Sequence, residues 1–370
     1  MTGREEAEAA TRPILSGWLT QGPEVAAFES EFAKLVGAKY ACAVSNCTTA
    51  LHLALLAVGV KPADEVITVS HSYIATANAI RYCGAEPVFI DIEPATSNMD
   101  PALIEAALTP KTRAILCVHQ MGMPCDIDAI VAIGRRHGLP VIEDAACASG
   151  SAYVVGNELE PVGRPRGEIA CFSFHPRKVI TTGDGGMLTT NDASLDQQFK
   201  LLRQHGMSVS DRVRHGARDV VFEDHSVLGY NYRMTDIQAA VGREQLKRLP
   251  GIVAARRRLA ARYREQLSGV PGLGLPVEPS FARSNWQSFS VKLPAHCEQR
   301  GVMQVLLDAG IASRRGIMCA HRELPYQRTA KYDLPESERA QDRSIILPLF
   351  VQLTDADQDR VCQALRRACV

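Results

Sequence analysis

The stretch CFSFHPRKVITTGDGG contains one lysine, Lys178, between an aromatic run and a run of glycines. A lysine amine forms an imine with an aldehyde when burial or a neighbouring charge lowers its pKa. A buried lysine paired with a carboxylate, or a lysine whose stem lies along the surface, would show the same local pattern. The neighbouring motifs are therefore needed to choose between these interpretations.

Two motifs supply groups that a flat, phosphorylated aldehyde would require. Asp144 lies in the apolar run LPVIEDA, and an acid at the carboxyl end of a buried parallel strand lies in the crevice where α/β sheets bind ligands. A carboxylate there can keep a pyridine nitrogen protonated, although a helix cap or an ion pair would also explain it. Thr48 and Thr49 stand where a helix is predicted to begin, and could bind phosphate or form an ordinary cap.

Two rings near predicted strand ends extend this candidate site. Tyr73 follows the strand EVITV and could stack on a flat ring or belong to the core. His119 ends the strand RAILCVH, which predicts that it faces the same crevice, where it could contact the substrate or the cofactor. An imine-forming lysine, an acid for a ring nitrogen, a phosphate cradle and a stacking ring are together what pyridoxal 5'-phosphate requires.

The composition limits the class of protein. With 370 residues, a formal net charge of zero and 46% hydrophobic residues, the chain is predicted to form a large core and more than one domain. Balanced charge argues against a protein that binds nucleic acid or a membrane surface. The eleven cysteines show no zinc-site spacing, which favours reduced thiols in a cytosol. Because the sequence shows neither a signal peptide nor an apolar run of membrane-spanning length, we expect a soluble cytoplasmic protein.

Short apolar, β-branched runs alternate with helical patterns through the first two-thirds of the chain. The predicted strands cover 40–44, 65–69, 86–92, 113–119, 139–145, 169–174 and 186–190. Predicted helices begin at Thr48 and lie near 74–82, 101–107 and 126–137. Because the strand runs are almost continuously apolar, they predict a mainly parallel sheet covered by helices on both faces.

We expect two domains, a large one over 1–249 and a small α+β domain over 250–370. The predicted elements of the small domain are a basic helix, a strand and two further helices, at 252–267, 286–293, 300–309 and 354–368. The polar, glycine-bearing stretch 206–228 is predicted to be a long excursion from the large domain, and such excursions are often functional.

The sequence resembles the DegT/DnrJ/EryC1/StrS family of sugar aminotransferases, which are fold type I pyridoxal-phosphate enzymes. The resemblance covers nearly the whole chain, in SGWLTQGPEVAAFE, SNCTTALHLAL, VFIDI, VIEDAA, FSFHPRKVITTGDGG, GYNYRMTDIQAA and ILPLF. It implies an α/β fold with a mainly parallel central sheet and a small α+β C-terminal domain. It also implies a homodimer that moves an amino group, with L-glutamate as the expected donor, to the keto group of a nucleotide-linked keto-deoxysugar.

The resemblance assigns roles around the cofactor ring. Lys178 would bind the cofactor covalently and carry the proton between the substrate carbon and the cofactor carbon. Asp144 would pair with the pyridinium nitrogen, and Tyr73 would stack on the ring. Cys147 stands where many members have Gln or His in contact with the ring hydroxyl. Because a thiol is a poor hydrogen bonder, we expect altered cofactor electronics or reactivity.

The resemblance also assigns the phosphate and the substrate. Thr48, Thr49 and Ser173 would bind the phosphate, together with Asn231 of the partner subunit. Arg233 would lie near the substrate across that interface, and 206–228 would embrace the partner. The stretch RRGIMCAHRELPY replaces an aromatic His-Tyr-Pro segment of many members, and His321 is expected to keep part of its substrate-binding role.

Three alternatives follow from these motifs. Some relatives have histidine in place of the lysine and are sugar dehydratases, so the intact Lys178 favours a transaminase over a dehydratase. A transaminase acting on a keto-cyclitol or another non-nucleotide ketone stays open because the segment 314–326 differs from the family pattern. A regulatory or scaffolding protein that only binds the cofactor is the alternative from another class, and the intact pair of Lys178 and Asp144 disfavours it.

Overall fold

The computed structural model describes residues 2–209, 214, 217–327 and 332–369. Its first half alternates strands and helices around a central sheet. The elements are α1 (Arg4–Ser16), α2 (Pro23–Val36), β1 (Tyr40–Val44), α3 (Cys47–Ala57), β2 (Glu65–Val69), α4 (Ala75–Tyr82), β3 (Glu86–Ile90), β4 (Thr112–Val118), α5 (Ile127–His137), β5 (Val141–Asp144), β6 (Ala152–Val155), β7 (Glu158–Pro161), β8 (Ile169–Ser173), β9 (Gly186–Thr190) and α6 (Ala193–Leu202).

The central sheet has seven strands in the order β1-β9-β8-β5-β4-β2-β3. The pairs from β8 through to β3 are parallel, and β9 runs antiparallel to both of its neighbours. Both faces are covered, since Ile67 and Ile115 belong to the core beneath α2 and α5, whereas Val66 and Leu116 belong to the core beneath α3 and α4. This is the mainly parallel sheet that the continuous apolar runs predicted.

The second half begins with a long helix and adds a smaller sheet. Its elements are α7 (Asp236–Leu267), β10 (Ala282–Arg283), β11 (Phe289–Lys292), α8 (Gln299–Asp308), β12 (Arg314–Arg315), α9 (Pro335–Arg343), β13 (Ser344–Leu347) and α10 (Asp355–Ala368). The strands β11, β13 and β12 form one antiparallel sheet. Tyr263 of α7 stacks on Phe289 at 5.0 Å between ring centroids, in a separate core with Ile345 and Leu365.

The predicted helix 252–267 is only the second half of α7. The helix runs without a break through Pro250, next to the domain boundary predicted at 249. A proline removes one backbone hydrogen bond, but Leu246, Leu249, Ile252 and Val253 are all buried along one stripe and hold the helix together. The division of the chain into domains at 249 therefore falls inside a helix and stays a prediction.

Two other predicted elements differ from the structure. The helix expected near 101–107 is two short 3-10 turns, Pro101–Leu103 and Glu105–Ala107, and Asp100 caps the first of them through the N–H of Ala102. The strand expected over 286–293 is shorter, because Trp286 has a left-handed backbone with φ of 53° and cannot continue an extended strand.

The predicted excursion 206–228 is described in part. Residues 210–213, 215 and 216 lie outside the described residues. In the described remainder, Phe222 and Leu228 are each 86% exposed, which is unusual for side chains of this size. Among the described residues, no helix is both long and apolar enough to cross a membrane.

Candidate active site

Lys178 and Cys147 meet beside the carboxyl ends of two neighbouring strands. Lys178 lies in the loop after β8, and Cys147 lies three residues after the end of β5. The Nζ amine of Lys178 donates a hydrogen bond to the Sγ atom of Cys147 at 3.1 Å. Since parallel strands end at the same edge of a sheet, this contact places the lysine in the crevice predicted from the sequence.

The surroundings of Lys178 favour its charged form. Burial by itself lowers the pKa of Lys178, but its interactions with Cys147, Cys47 and Asp144 outweigh burial and raise that pKa. This direction is opposite to the lowered pKa expected of a nucleophilic lysine. The amine must be in its uncharged form to attack an aldehyde, so these surroundings disfavour the attacking form.

Asp144 is buried, and both of its carboxylate oxygens accept hydrogen bonds. Oδ2 accepts from the Thr76 hydroxyl at 2.7 Å, and Oδ1 accepts from the N–H of Ala146 at 3.1 Å. Burial raises the pKa of Asp144, whereas these hydrogen bonds and the charge of Lys178 partly offset that rise. Thr76 was not identified from the sequence, because nothing in the motif HSYIATA shows which strand its helix packs against.

The amino end of α3 forms a cradle suited to an anion. The Asn46 side chain caps the helix by accepting from the N–H of Thr49 at 2.9 Å, and the Thr49 hydroxyl donates to the Asn46 carbonyl at 2.7 Å. By helix geometry, the first amides, of Cys47 and Thr48, have no acceptor within the helix. A Cβ atom at Gly186 would collide with the Asn46 carbonyl and lie 2.8 Å from the Cys47 nitrogen, so only glycine lets β9 approach this closely.

Three further residues predicted to bind the phosphate or the substrate are Ser173, Asn231 and Arg233. Ser173 is buried at the end of β8, where its Oγ atom accepts from the N–H of His175 at 3.4 Å. Asn231 and Arg233 contact each other, with Nη2 of the arginine 3.2 Å from the Asn231 Oδ1 atom. Their segment is placed beside α3 by the backbone hydrogen bond from Ser45 to the carbonyl of Tyr232.

Tyr73 has a different environment from the other candidate residues. Its side chain is 71% exposed, although it follows directly after a buried stretch of the chain. An exposed tyrosine ring can cover a flat ligand. Its stacking role stays a prediction, as do the roles of Asn231 and Arg233.

The expectation that His119 faces the crevice is wrong. Its side chain is fully buried, with Nε2 3.0 Å from Glu143 Oε2 and the N–H of Cys125 donating to Nδ1 at 3.2 Å. Nδ1 therefore carries the lone pair, and Nε2–H donates to Glu143. Glu143 and Asp144 point to opposite faces of β5. A histidine that pairs with Glu143 therefore lies on the face of the sheet opposite to Asp144.

His321 is held by protein groups at both of its ring nitrogens. Its Nδ1 atom is 2.7 Å from the Ser70 hydroxyl, and its Nε2 atom is 3.0 Å from Glu338 Oε1. The ring thereby joins the segment that leads to Tyr73 to helix α9. A direct contact between His321 and a substrate stays a prediction.

These groups together fit pyridoxal phosphate. The structure provides an amine for the aldehyde, a buried acid for the ring nitrogen, and a helix amino end with unshared amides for the phosphate. The collision that a Cβ atom at Gly186 would cause shows that this cradle depends on a glycine. The fold and this set of groups define a fold type I pyridoxal-phosphate transaminase.

Comparison with known proteins then gives the family. The sequence profile of the DegT/DnrJ/EryC1/StrS aminotransferase family matches residues 1–366, and the chain belongs to this family. The predicted family, fold class, enzyme class and cofactor are thereby confirmed.

Three relatives show how far the similarity extends. The spore coat polysaccharide biosynthesis protein SpsC of Bacillus subtilis (strain 168) is 38% identical over 99% of this chain and 95% of its own. DesI, solved in the presence of its TDP-sugar product, is 32% identical with a TM-score of 0.88, over 99% of this chain and 90% of DesI. The putative sugar aminotransferase Spr1654 of Streptococcus pneumoniae in its PMP form has a TM-score of 0.92 at 25% identity, over 100% of this chain and 97% of its own.

Proposed function

We propose that this transaminase moves the amino group of L-glutamate to the keto group of a nucleotide-linked keto-deoxysugar. The observation that carries the proposal is the placement of Lys178 and Asp144 in one crevice of a chain similar to sugar aminotransferases over almost its whole length. DesI was solved with a TDP-sugar product, and SpsC is named for polysaccharide biosynthesis. Both descriptions favour a sugar acceptor here.

The residues of this chain divide the chemistry among them. Pyridoxal phosphate, when bound, would supply an electron sink for the substrate carbon and a carrier for the amino group. We assign to Lys178 Nζ the proton that must move between substrate and cofactor carbons, since an amine placed in this crevice beside Cys147 can both accept and donate a proton. We assign to Asp144 the pyridine nitrogen, and to the amides of Cys47 and Thr48 the phosphate.

A cleft beside Lys178 supports an acidic amino donor. It has a volume of about 360 Å³, and its lining includes Arg177, Arg314 and Gln287. Guanidinium groups form paired hydrogen bonds with carboxylates, and L-glutamate has two carboxylates. We propose that Arg233 meets the diphosphate of the acceptor by the same geometry.

The enzyme is proposed to work as a homodimer in the cytoplasm. The exposed apolar side chains of Phe222 and Leu228 favour a partner that covers them. Each of the eleven cysteines is a free thiol in the structure, which suits a reducing compartment.

A single-turnover experiment tests the acceptor. The protein in its pyridoxamine form is mixed with a nucleotide-linked keto-deoxysugar or with a keto-cyclitol, and the return of the aldehyde spectrum and the mass of the product are followed. We expect the nucleotide-linked sugar alone to restore the spectrum and to gain the amino group. Restoration by the cyclitol alone would contradict the proposal, and loss of the keto-sugar's hydroxyl without amination would indicate a dehydratase. The Lys178→Ala protein is the control and should show no turnover with either ketone.

A further inference from the structure

Two hydroxyl groups in series end on the carboxylate of Asp144. The Oγ atom of Ser72 lies 2.8 Å from Oγ1 of Thr76, and that atom lies 2.7 Å from Oδ2 of Asp144. The three residues are 4%, 2% and 5% exposed, so water has little access to replace either hydroxyl. Because unpaired buried polar groups are costly, such a series is expected to be specific.

The direction of these hydrogen bonds follows from the ionisation of Asp144. An ionised carboxylate can only accept, so the single hydroxyl proton of Thr76 must point to Asp144. The oxygen of Thr76 is then left as the acceptor for the Ser72 proton. Since Ala146 N–H holds the other carboxylate oxygen, the plane of the carboxylate is fixed from two sides.

We propose that Thr76, supported by Ser72, is a positioning residue that holds the Asp144 carboxylate in the orientation in which it meets the pyridine nitrogen. This inference rests on the role proposed above for Asp144. Thr76 lies in the first turn of α4, and its N–H donates to the carbonyl of Tyr73 at 3.1 Å. The same short turn therefore fixes the acid relative to the tyrosine proposed to cover the ring.

The energetic reason is the burial of the acid. A neutral carboxylic acid cannot stabilise a protonated pyridine, and burial favours the neutral form. A hydroxyl that donates to the carboxylate favours the charged form, and hydrogen bonds to charged groups are among the stronger ones. Removal of the Thr76 hydroxyl should therefore make the ionised form of Asp144 less favourable and leave its carboxylate less firmly oriented.

The test is a titration of cofactor-free protein with pyridoxal phosphate, followed by absorbance against pH of the bound cofactor. Thr76→Val removes the hydroxyl and is expected to weaken cofactor binding about tenfold and to shift the pH dependence of the absorbance. Thr76→Ser keeps a hydroxyl and should restore both. In an Asp144→Asn background, Thr76→Val should have a much smaller effect, because the charged acceptor is gone.

Thr68→Val is the matched control. Thr68 is a buried threonine of β2 whose hydroxyl donates to the Leu116 carbonyl at 2.8 Å, so its loss costs a similar hydrogen bond away from Asp144. Equal binding by the Thr76→Val and Thr68→Val proteins would overturn the inference while leaving the proposed function intact. Unchanged binding by Asp144→Asn would instead overturn the proposed role of Asp144 itself. If Thr76→Val does not fold, the Ser72→Ala protein is tested instead. Weaker cofactor binding by Ser72→Ala than by Thr68→Val supports the proposed role of the two hydroxyls, and equal binding contradicts it.

Discussion

Among the polar contacts of Lys178, the one with Cys147 separates this chain from the family pattern of a Gln or His at that position. The thiol contributes to the raised pKa of Lys178, together with Cys47 and Asp144. A residue that raises the pKa of the amine reduces the fraction of free amine at neutral pH. Attachment of the cofactor should therefore depend on pH, and the contact with Cys147 should contribute to that dependence.

Replacement of Cys147 by serine tests this dependence. The hydroxyl of Cys147→Ser replaces the sulfur whose hydrogen bond and electrostatic interaction contribute to the raised pKa of Lys178, so that pKa should fall. The rate of cofactor attachment, measured against pH in cofactor-free protein, should have its midpoint at lower pH in the variant. Cys83→Ser is the control, since Cys83 is a buried thiol at the end of α4 that donates to the Ala79 carbonyl. An unchanged or higher midpoint in Cys147→Ser would contradict this account.

The sequence was informative about single residues only where a motif fixes the position. Lys178 and Asp144 could be placed in one crevice because Asp144 lies near the carboxyl end of one predicted strand and Lys178 follows another strand of the same sheet. Thr76 could not, because its contact depends on how α4 packs against β5. His119 was misplaced because one residue of register decides which face of a strand a side chain occupies.

At the scale of elements, a buried acid of α1 holds that helix on α7. Glu6 of α1 accepts from Gln245 Nε2 at 2.8 Å and from the N–H of Gly3 at 2.6 Å, and Arg248 lies 3.2 Å away. Burial raises the pKa of Glu6, but these hydrogen bonds and the charge of Arg248 outweigh it and lower that pKa below the usual 4.5. The ionised form of Glu6 is therefore more stable in the folded chain.

Glu6→Gln should change the acid stability of the fold. A lowered pKa in the folded state contributes stability that is present above the usual pKa and lost as the pH falls through the lower folded value. At pH 7 the variant should lose about 1–2 kcal/mol of the free energy of unfolding, and the difference should vanish in strong acid. Urea unfolding of both cofactor-free proteins at several pH values measures this, and a difference that grows in acid would contradict the assignment.

Strands were predicted more reliably than helix ends. Three strands, at 40–44, 65–69 and 186–190, match their predicted ranges because each is a compact run of apolar and β-branched residues. The length of α7 was missed because a domain boundary was predicted after Leu249, whereas the buried stripe of the helix continues on both sides of that position. Packing of the whole helix decides such a case, and a local pattern does not show it.

At the scale of the whole molecule, the proposed dimer would complete the site. Asn231 is exposed in the single chain and contacts Arg233 rather than the α3 cradle. If Asn231 serves the site of the partner subunit, one dimer contains two sites that each draw on both chains. The sequence could suggest this only through the resemblance, because no pattern within one chain shows what a second copy covers.

Mixing two inactive proteins tests the shared site. Lys178→Ala and Asn231→Ala should each have little activity alone. In a mixed dimer, one site receives both defects and the other receives none. After unfolding together and refolding, about half of the dimers are mixed, so about a quarter of wild-type activity should return. Each protein refolded alone is the control, and absence of any recovery in a mixture that forms dimers would contradict shared sites.

We propose that Lys178 carries the cofactor for transamination from L-glutamate. The most direct test is the absorbance spectrum of the purified protein before and after L-glutamate is added, with Lys178→Ala as the comparison. We predict a band of lysine-bound cofactor that is replaced by the pyridoxamine band, and no such band in the variant. If L-glutamate leaves the spectrum of the bound cofactor unchanged, the proposal that it is the amino donor is contradicted. If the Lys178→Ala protein responds in the same way as the wild-type protein, the proposed role of the lysine is contradicted.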